Sequence, residues 1–338
     1  MINKRTLSVV IFLLAWLHRS FSQDHVYSQF YNAPNYLNPA LNGQFEGDFR
    51  MNMIYRSHWT NIPGPLNYYS FSLDYSVPKF GGGFGLLASR SSEGTAYLKK
   101  TSLSGIYSYS IDWDYVTLSF GVQGGFVHRK IDYNKLVFAD QIDKDGIIYG
   151  GGTGASDPSL NSRFYFDSGA GANLVFYNAM IGGSVQHINK PDESFTGSKS
   201  LLPMRINGHA SYRIQLDYYD DEASPLLIPS VLVYNQANLT SVSAGMQFKN
   251  KRVNIGLWYR GDNKQSDAIV LSLSLDVFDR RDSYDKVRLG VSHDASTSKL
   301  NYGKTAGSTE TAVTWETTLP NSNRDGRYSF GKRCYDFY

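Results

Sequence analysis

The stretch Ile269-Val270-Leu271-Ser272-Leu273-Ser274-Leu275-Asp276-Val277 decides the fold. Its odd-numbered positions are all apolar, and its even-numbered positions are polar from Ser272 on. Because successive side chains of a β-strand point to opposite faces, the segment has one apolar and one mostly polar face. A soluble sandwich would show the same alternation. Small or polar residues on the second face, aromatic residues near strand ends and an export signal favour a membrane barrel.

Similar alternation recurs along most of the chain and predicts about fourteen strands. They are expected at 48–58, 65–77, 82–91, 97–111, 114–131, 163–176, 178–188, 203–216, 227–236, 239–249, 252–261, 267–279, 284–294 and 307–319. Very short connections, such as the one around Tyr177-Asn178, are typical of antiparallel hairpins. An even number of antiparallel strands can close into a cylinder without free edges. The predicted fold is all-β: a transmembrane antiparallel β-barrel of about fourteen strands, in a single domain over 48–319.

Residues 1–22 have the pattern of a secretory signal peptide. Lys4 and Arg5 precede an apolar run from Leu7 to Leu17, and the small residue Ser22 precedes the predicted cleavage point. The alternative is an anchor helix, but the run is shorter than the roughly 20 residues that a spanning helix needs. We therefore expect cleavage before Gln23, export, and integration into the outer membrane.

Charge and cysteine content exclude several classes of function. The chain has 33 basic and 30 acidic residues, and residues 1–22 carry three of the basic ones and no carboxylate. The remainder is therefore balanced and gives no electrostatic argument for nucleic-acid binding. The single cysteine, Cys334, excludes an internal disulfide and a metal site built from several thiolates. We expect no cofactor.

Three connections are longer than hairpin turns and are candidates for function. The first, 132–162, carries Asp140, Asp143 and Asp145; it lacks the spacing of an EF-hand, so a solvated loop is favoured over a calcium site. The second, 189–202, follows a strand with a Pro-containing turn, and the third, 217–226, is acidic. A barrel of this size needs filling, so the N-terminal segment 23–47 or the 132–162 loop is expected to plug it, unless the segment makes a periplasmic contact. Residues 320–338 form a tail too short for a domain.

Several segments together resemble the PorP/SprF family of type IX secretion proteins of the outer membrane. The resemblance is carried by Ser28-Gln29-Phe30-Tyr31, Tyr36-Leu37-Asn38-Pro39-Ala40-Leu41-Asn42-Gly43, Tyr55-Arg56-Ser57-His58-Trp59, Ala139-Asp140-Gln141-Ile142-Asp143, Ser184-Val185-Gln186-His187-Ile188-Asn189-Lys190-Pro191-Asp192-Glu193-Ser194-Phe195, Gly256-Leu257-Trp258-Tyr259-Arg260, Ser292-His293-Asp294 and Gly307-Ser308-Thr309-Glu310. Their order and spacing cover nearly the whole chain after the signal peptide.

The resemblance implies a non-enzymatic component of type IX secretion that acts by binding and, in some bacteria, contributes to gliding motility. Its implied partners, besides membrane lipid, are periplasmic ring or peptidoglycan-binding lipoprotein components, or a large cell-surface adhesin with a type B C-terminal sorting domain. The candidate partner-binding residues are Asn38, Pro39, Asp140, Gln141, Asp143, His187, Asn189, Pro191, Asp192, Ser194 and Phe195.

Two other functions fit parts of the pattern. An outer-membrane porin or a channel for hydrophobic ligands would have a similar number of strands. A barrel lipase would use His209 and Ser211, which lie two apart and hence on one face of a strand, although the Asn-Gly expected after the serine is absent. The tryptophans at 59, 113, 258 and 315 are interpreted as anchors at the membrane interfaces.

Overall fold

A computed structural model describes residues 24–45, 47–64, 66–77, 81–94, 98–143, 145, 153–154, 160–216, 224–262, 265–280, 285–299, 302–319 and 337. The predicted signal peptide, the carboxylates of the acidic connection 217–226 and nearly all of the tail lie outside these residues.

Fifteen strand segments make up the sheet. They are β1 (Phe49–His58), β2 (Leu66–Val77), β3 (Gly82–Glu93), β4 (Leu98–Trp113), β5 (Val116–Lys130), β6 (Ser162–Phe176), β7 (Ala179–Gln186), β8 (Arg205–Tyr212), β9 (Ile214–Gln215), β10 (Leu226–Gln236), β11 (Leu239–Asn250), β12 (Val253–Asp262), β13 (Ser266–Arg280), β14 (Asp285–Ser296) and β15 (Ser308–Thr317). Their bounds differ from the predicted ones by one or two residues.

The sheet closes on itself as an antiparallel barrel. Neighbours in sequence pair along the chain, and β1 pairs with β15, so that Phe49 lies opposite Thr317. Segments β8 and β9 both pair with β10 in one continuous register and count as a single interrupted strand. The result is the predicted fold, a closed barrel of fourteen strands without a free edge.

The two faces of the barrel follow the alternation in the sequence. On β13, Leu271 is 59% exposed on the outside, whereas Ser272 and Ser274 are 2% and 1% exposed on the inside. The outer face is thus apolar, as a lipid-facing surface requires, and the lumen is lined by small and polar side chains. This arrangement confirms the predicted distribution of side chains.

In the part of the chain that the structure describes, helical structure is limited to short turns. The α-helices are α1 (Pro34–Leu37) and α2 (Tyr302–Thr305), and 3₁₀ turns occur at Phe30–Asn32, Pro39–Leu41, Tyr133–Lys135 and Ala139–Gln141. Within the described residues, no helix has the length and apolar character needed to cross a membrane.

The two ends of the barrel differ in their connections. At one end, which we call the short-turn end, two-residue turns join β4 to β5, β6 to β7 and β11 to β12. At the other, the long-loop end, lie the β5–β6 loop (131–161) and the β7–β8 loop (187–204). The 216–225 connection is the longest at the short-turn end.

Candidate functional site: the filled lumen and the surface at the long-loop end

The N-terminal segment 24–45 lies inside the barrel. Residues 27–35 and 37–45 are all buried. The segment starts at the long-loop end, where Asp24 contacts Lys100, and reaches the opposite end, where the Gln44 amide donates a 2.5 Å hydrogen bond to Ser110. It therefore occupies the lumen along its axis before the chain turns into β1.

Polar side chains of this segment find partners on the polar wall. The Asn35 amide donates a 2.8 Å hydrogen bond to Asp74, which also pairs with Arg50 at 2.5 Å. The Asn38 amide donates to the carbonyl oxygens of Ala172 and Gly183 at 3.0 and 3.2 Å. Because buried polar groups are costly unless they are hydrogen-bonded, these contacts fix the position of the segment.

Glycines of the wall make room for the segment. A Cβ atom at Gly121 of β5 would lie 2.2 Å from the carbonyl carbon of Pro39, and one at Gly171 of β6 would lie 2.0 Å from Oδ1 of Asn38. No side chain fits at such distances. The small residues on the inner face thus match the path of the N-terminal segment.

A buried ionic cluster joins the segment to four strands. Asp294 accepts from Arg56 and Arg260, both at 2.9 Å, and Glu310 pairs with Arg56. Ser28 lies at the centre of the cluster: its hydroxyl donates to Asp294 at 2.7 Å and accepts from both guanidinium groups at 2.9 Å. The charges are paired and hydrogen-bonded, which is the condition under which buried ions are tolerated.

The residues of this cluster belong to separate motifs of the sequence, whose spacing does not predict that they meet. Arg56, Arg260, Asp294 and Glu310 lie on β1, β12, β14 and β15. Their strand positions provided a usable signal, since each lies on the polar face of an alternating segment. Charged residues on the inner face of closely neighbouring strands have to pair with one another.

The prediction that Trp258 anchors the barrel at a membrane interface is wrong. Trp258 is 3% exposed and lies in the lumen, where its ring contacts Phe30 edge-on with centroids 5.1 Å apart. It shares the inner face of β12 with Arg260. Trp113 and Trp315, in contrast, are exposed on the outside of the barrel, near the short-turn end.

The predicted residue His187 lies at the long-loop end, buried against the N-terminal segment. Its Nε2 is 2.5 Å from Asp24, and its Nδ1 is 2.8 Å from Asp167. Burial would lower the pKa of His187, but the charge of Asp24 and the hydrogen bonds to both carboxylates outweigh it and raise the pKa above its ordinary value. The ring therefore links two carboxylates, and both of them favour its protonated form.

The other predicted residues of this region shape the β7–β8 loop. Asn189 donates to the carbonyl oxygen of Phe166 at 2.7 Å, and Asp192 pairs with Arg163 at 3.1 Å. Asp192 also accepts the backbone N–H groups of Ser194 and Ser200 at 3.1 and 2.9 Å. Pro191 and Ser194 are buried, and Phe195 packs on the Arg129 guanidinium at 5.4 Å.

The predicted residues Asp140, Gln141 and Asp143 lie in the β5–β6 loop. The Asp140 carboxylate accepts from the hydroxyl of Thr153 at 2.8 Å and from the N–H of Gly154 at 2.6 Å. The Gln141 side chain accepts from the backbone of Phe138 at 2.9 Å, and Asp143 accepts from the N–H of Asp145 at 2.8 Å. Among the described residues, no three His, Cys, Asp or Glu side chains are grouped as metal ligands.

Asn38 and Pro39 do not contribute to an outer surface. Both are buried in the lumen, where their partners are the strands of the barrel itself. The surface at the long-loop end is instead formed by apolar side chains of the two loops. We call Val137, Ile142, Ile188 and Leu201 the loop surface; they are between 45% and 52% exposed.

His209 and Ser211 lie in the lumen on β8, on the same face as expected. Nε2 of His209 is 3.3 Å from the Asn38 amide. The Ser211 hydroxyl and Nδ1 of His209 are both buried, and neither has a hydrogen-bond partner. The two side chains are therefore not joined as a nucleophile and its base would be.

The known proteins that are similar to this chain include one family and several outer-membrane proteins. No curated protein sequence matches the chain. Among solved structures, Omp33 of Acinetobacter baumannii is similar with a TM-score of 0.42 and 4% identity, over 81% of this chain and 98% of that one. A FadL homologue of Pseudomonas aeruginosa is similar with a TM-score of 0.42 and 10% identity, over 83% and 92%. The model of the family "Type IX secretion system membrane protein PorP/SprF" matches residues 19–315. The chain thus belongs to the PorP/SprF family of type IX secretion system membrane proteins, with the outer-membrane barrel fold that its sequence predicts.

Proposed function

We propose that this protein is a non-enzymatic, non-conducting anchor of the outer membrane that binds a secreted surface protein at its long-loop end. The observation that carries the proposal is the contrast between the two regions. The lumen is occupied by residues 24–45, whereas the loops at the long-loop end carry exposed apolar side chains. A barrel whose lumen is filled conducts ions and small solutes poorly. The same filling gives its loops a rigid support.

The orientation of the barrel supports a partner on the cell surface. Bacterial outer-membrane barrels have short periplasmic turns and longer extracellular loops. By this rule the long-loop end faces outward. We therefore favour a large adhesin with a type B sorting domain, exported by the type IX system and retained by this protein, over a periplasmic ring component. A role in gliding motility and cleavage of the signal peptide before Gln23 belong to the same proposal.

The strand ends that carry the β5–β6 loop also hold the β7–β8 loop in place. Arg163, at the start of β6, pairs with Asp192 of the β7–β8 loop, and Arg129, at the end of β5, contacts Phe195 of the same loop. Outward-facing Arg90, Lys99 and Lys130 lie at this end of β3, β4 and β5. Such charges belong in water, so the loop surface lies above the bilayer. Exposed apolar groups on an aqueous surface are typical of protein–protein contacts.

Affinity purification in mild detergent tests the proposal. We expect the tagged protein to bring along one large surface protein, identified by mass spectrometry. The double variant Ile142→Ser and Leu201→Ser should lose it, while the control Tyr115→Ser, which changes an exposed side chain at the short-turn end, should retain it. Loss of the partner in the control alone, or recovery of ring proteins or a peptidoglycan-binding lipoprotein, would place binding on the periplasmic side.

A further inference from the structure

Asp24 of the N-terminal segment connects three basic side chains at the long-loop end. Its Oδ1 is 2.9 Å from Nζ of Lys100, and its Oδ2 is 2.5 Å from Nε2 of His187. Nη1 of Arg205 lies 3.7 Å from the same Oδ2. These partners come from β4, from the first residue of the β7–β8 loop, and from the residue after that loop.

The same contacts continue into the β7–β8 loop through a second carboxylate. Lys100 lies 3.4 Å from Glu193, which is also 3.1 Å from Arg129 and hydrogen-bonded to the Tyr165 hydroxyl. Glu193 is 2% exposed. Asp24 is thus linked to the loop directly at His187 and, through one lysine, at Glu193.

The backbone of the loop requires such support. His187 and Lys190 adopt φ angles of 58° and 43°, in the left-handed region that residues other than glycine avoid. Such a conformation is energetically unfavourable and persists only where the surroundings hold it. The ring of His187 is held on both nitrogens, by Asp24 on one side and Asp167 on the other.

We propose that Asp24 is a positioning residue for the loop surface: the N-terminal segment, once seated in the lumen, fixes the β7–β8 loop in the conformation that the partner recognises. The inference rests on the proposed function in that the loop is taken to bind the partner. It adds a condition to that function. A barrel whose N-terminal segment is not seated presents an incomplete surface and is not recognised.

Charge explains why the loop would loosen without Asp24. Removing this carboxylate leaves Lys100 and Arg205 facing the vacated position, and His187 loses both a contact and the charge that most favours its protonated form. Asp167 still pairs with His187 and Glu193 with Lys100, while Arg205 retains the hydroxyl of Tyr36 at 2.8 Å. The loop then has one partner fewer at His187, and the two remaining cations lie beside it without their shared carboxylate, which favours opening of the loop.

The variant Asp24→Asn tests the inference because it keeps the shape of the side chain and removes its charge. Asp112→Asn is the matched control: Asp112 lies on the same strand as Lys100, at the short-turn end, where it accepts from Thr117 at 2.9 Å. Both variants are purified in detergent and checked for the heat-modifiable migration of a folded barrel. Trypsin cleavage after Lys199, an exposed residue of the loop, then reports loop opening.

We expect cleavage at Lys199 to be about tenfold faster in Asp24→Asn than in the parent, the effect of losing one charge-assisted hydrogen bond. It should be unchanged in Asp112→Asn. Equal cleavage in all three proteins would overturn the inference whatever the partner does. Faster cleavage with undiminished recovery of the surface protein would support the effect of Asp24 on the loop. It would contradict the proposed use of this loop in binding.

Discussion

The backbone N–H of Ser28 donates a 2.7 Å hydrogen bond to the carboxylate of Glu310, joining the N-terminal segment to the last strand across 282 positions of sequence. The next N–H, of Gln29, donates to the other oxygen of the same carboxylate at 2.9 Å. Glu310 is fully buried and also pairs with Arg56. One side chain of β15 thus pairs with Arg56 of β1, neutralises that cation and holds the segment inside.

Glu310→Gln should destabilise the barrel strongly. The amide keeps the size of the side chain but leaves the buried Arg56 with one carboxylate, Asp294, that it shares with Arg260. Breaking a buried ion pair by removing one partner costs about 3–5 kcal/mol. Urea unfolding in lipid bilayers, followed by tryptophan fluorescence, measures the loss. The control Asp132→Asn removes an exposed ion pair, in which a carboxylate oxygen of Asp132 lies 3.9 Å from Nζ of Lys135. It should change the free energy of unfolding by less than about 1 kcal/mol.

Gly121→Val should displace the N-terminal segment. The new side chain would occupy the position of the Pro39 backbone, which cannot move without breaking the hydrogen bonds of Asn38. We expect a barrel that forms but loses about 1–3 kcal/mol to overpacking, with residues 24–45 exposed to protease. Gly208→Val is the control, because nothing lies within 4 Å of a Cβ at that outward-facing position. Equal protease resistance of the two variants would contradict the tight fit.

The β7–β8 loop should loosen as the pH rises. The pKa of His187 is raised by Asp24 and Asp167 against the effect of burial, with Lys100 and Arg205 on the far side of Asp24. Its contribution to stability is therefore fully present below the unfolded value of about 6.5 and is lost as the pH passes through the higher folded value. Protection of the loop from hydrogen exchange, corrected for intrinsic rates, should fall as the pH rises above the pKa of His187 in the folded protein. The same loss in His187→Gln would show that another group is responsible.

The architecture could be predicted from the sequence because alternation fixes both the strands and their faces. The run from Ile269 to Val277 is an example: every second side chain is exposed on the outer face of the barrel. The same rule, applied strictly, would have placed Trp258 inside, since it shares a face with Arg260. We misassigned it because three large apolar residues, Leu257, Trp258 and Tyr259, follow one another and hide the alternation.

The arrangement of the lumen could not be predicted in the same way. The sequence left open whether residues 23–47 or the 132–162 loop fills the barrel, because neither has a periodic pattern. The fit depends on contacts such as Gly171 with Asn38, whose partners are far apart in the chain. Similarly, spacing alone does not reveal that His187 faces Asp24, since a turn of left-handed backbone at His187 directs it inward.

The N-terminal segment should keep the barrel closed to ions. In planar bilayers we expect the purified parent to show no steady conductance, because residues 27–35 and 37–45 are buried in the lumen. Deleting residues 24–44 removes this filling while leaving all strands in place, and a lumen lined by serine, asparagine and arginine would then fill with water and conduct. Steady conductance of the parent would favour a porin or ligand channel. A deletion variant that folds, as shown by heat-modifiable migration, yet stays closed would mean that another part of the chain blocks the pore.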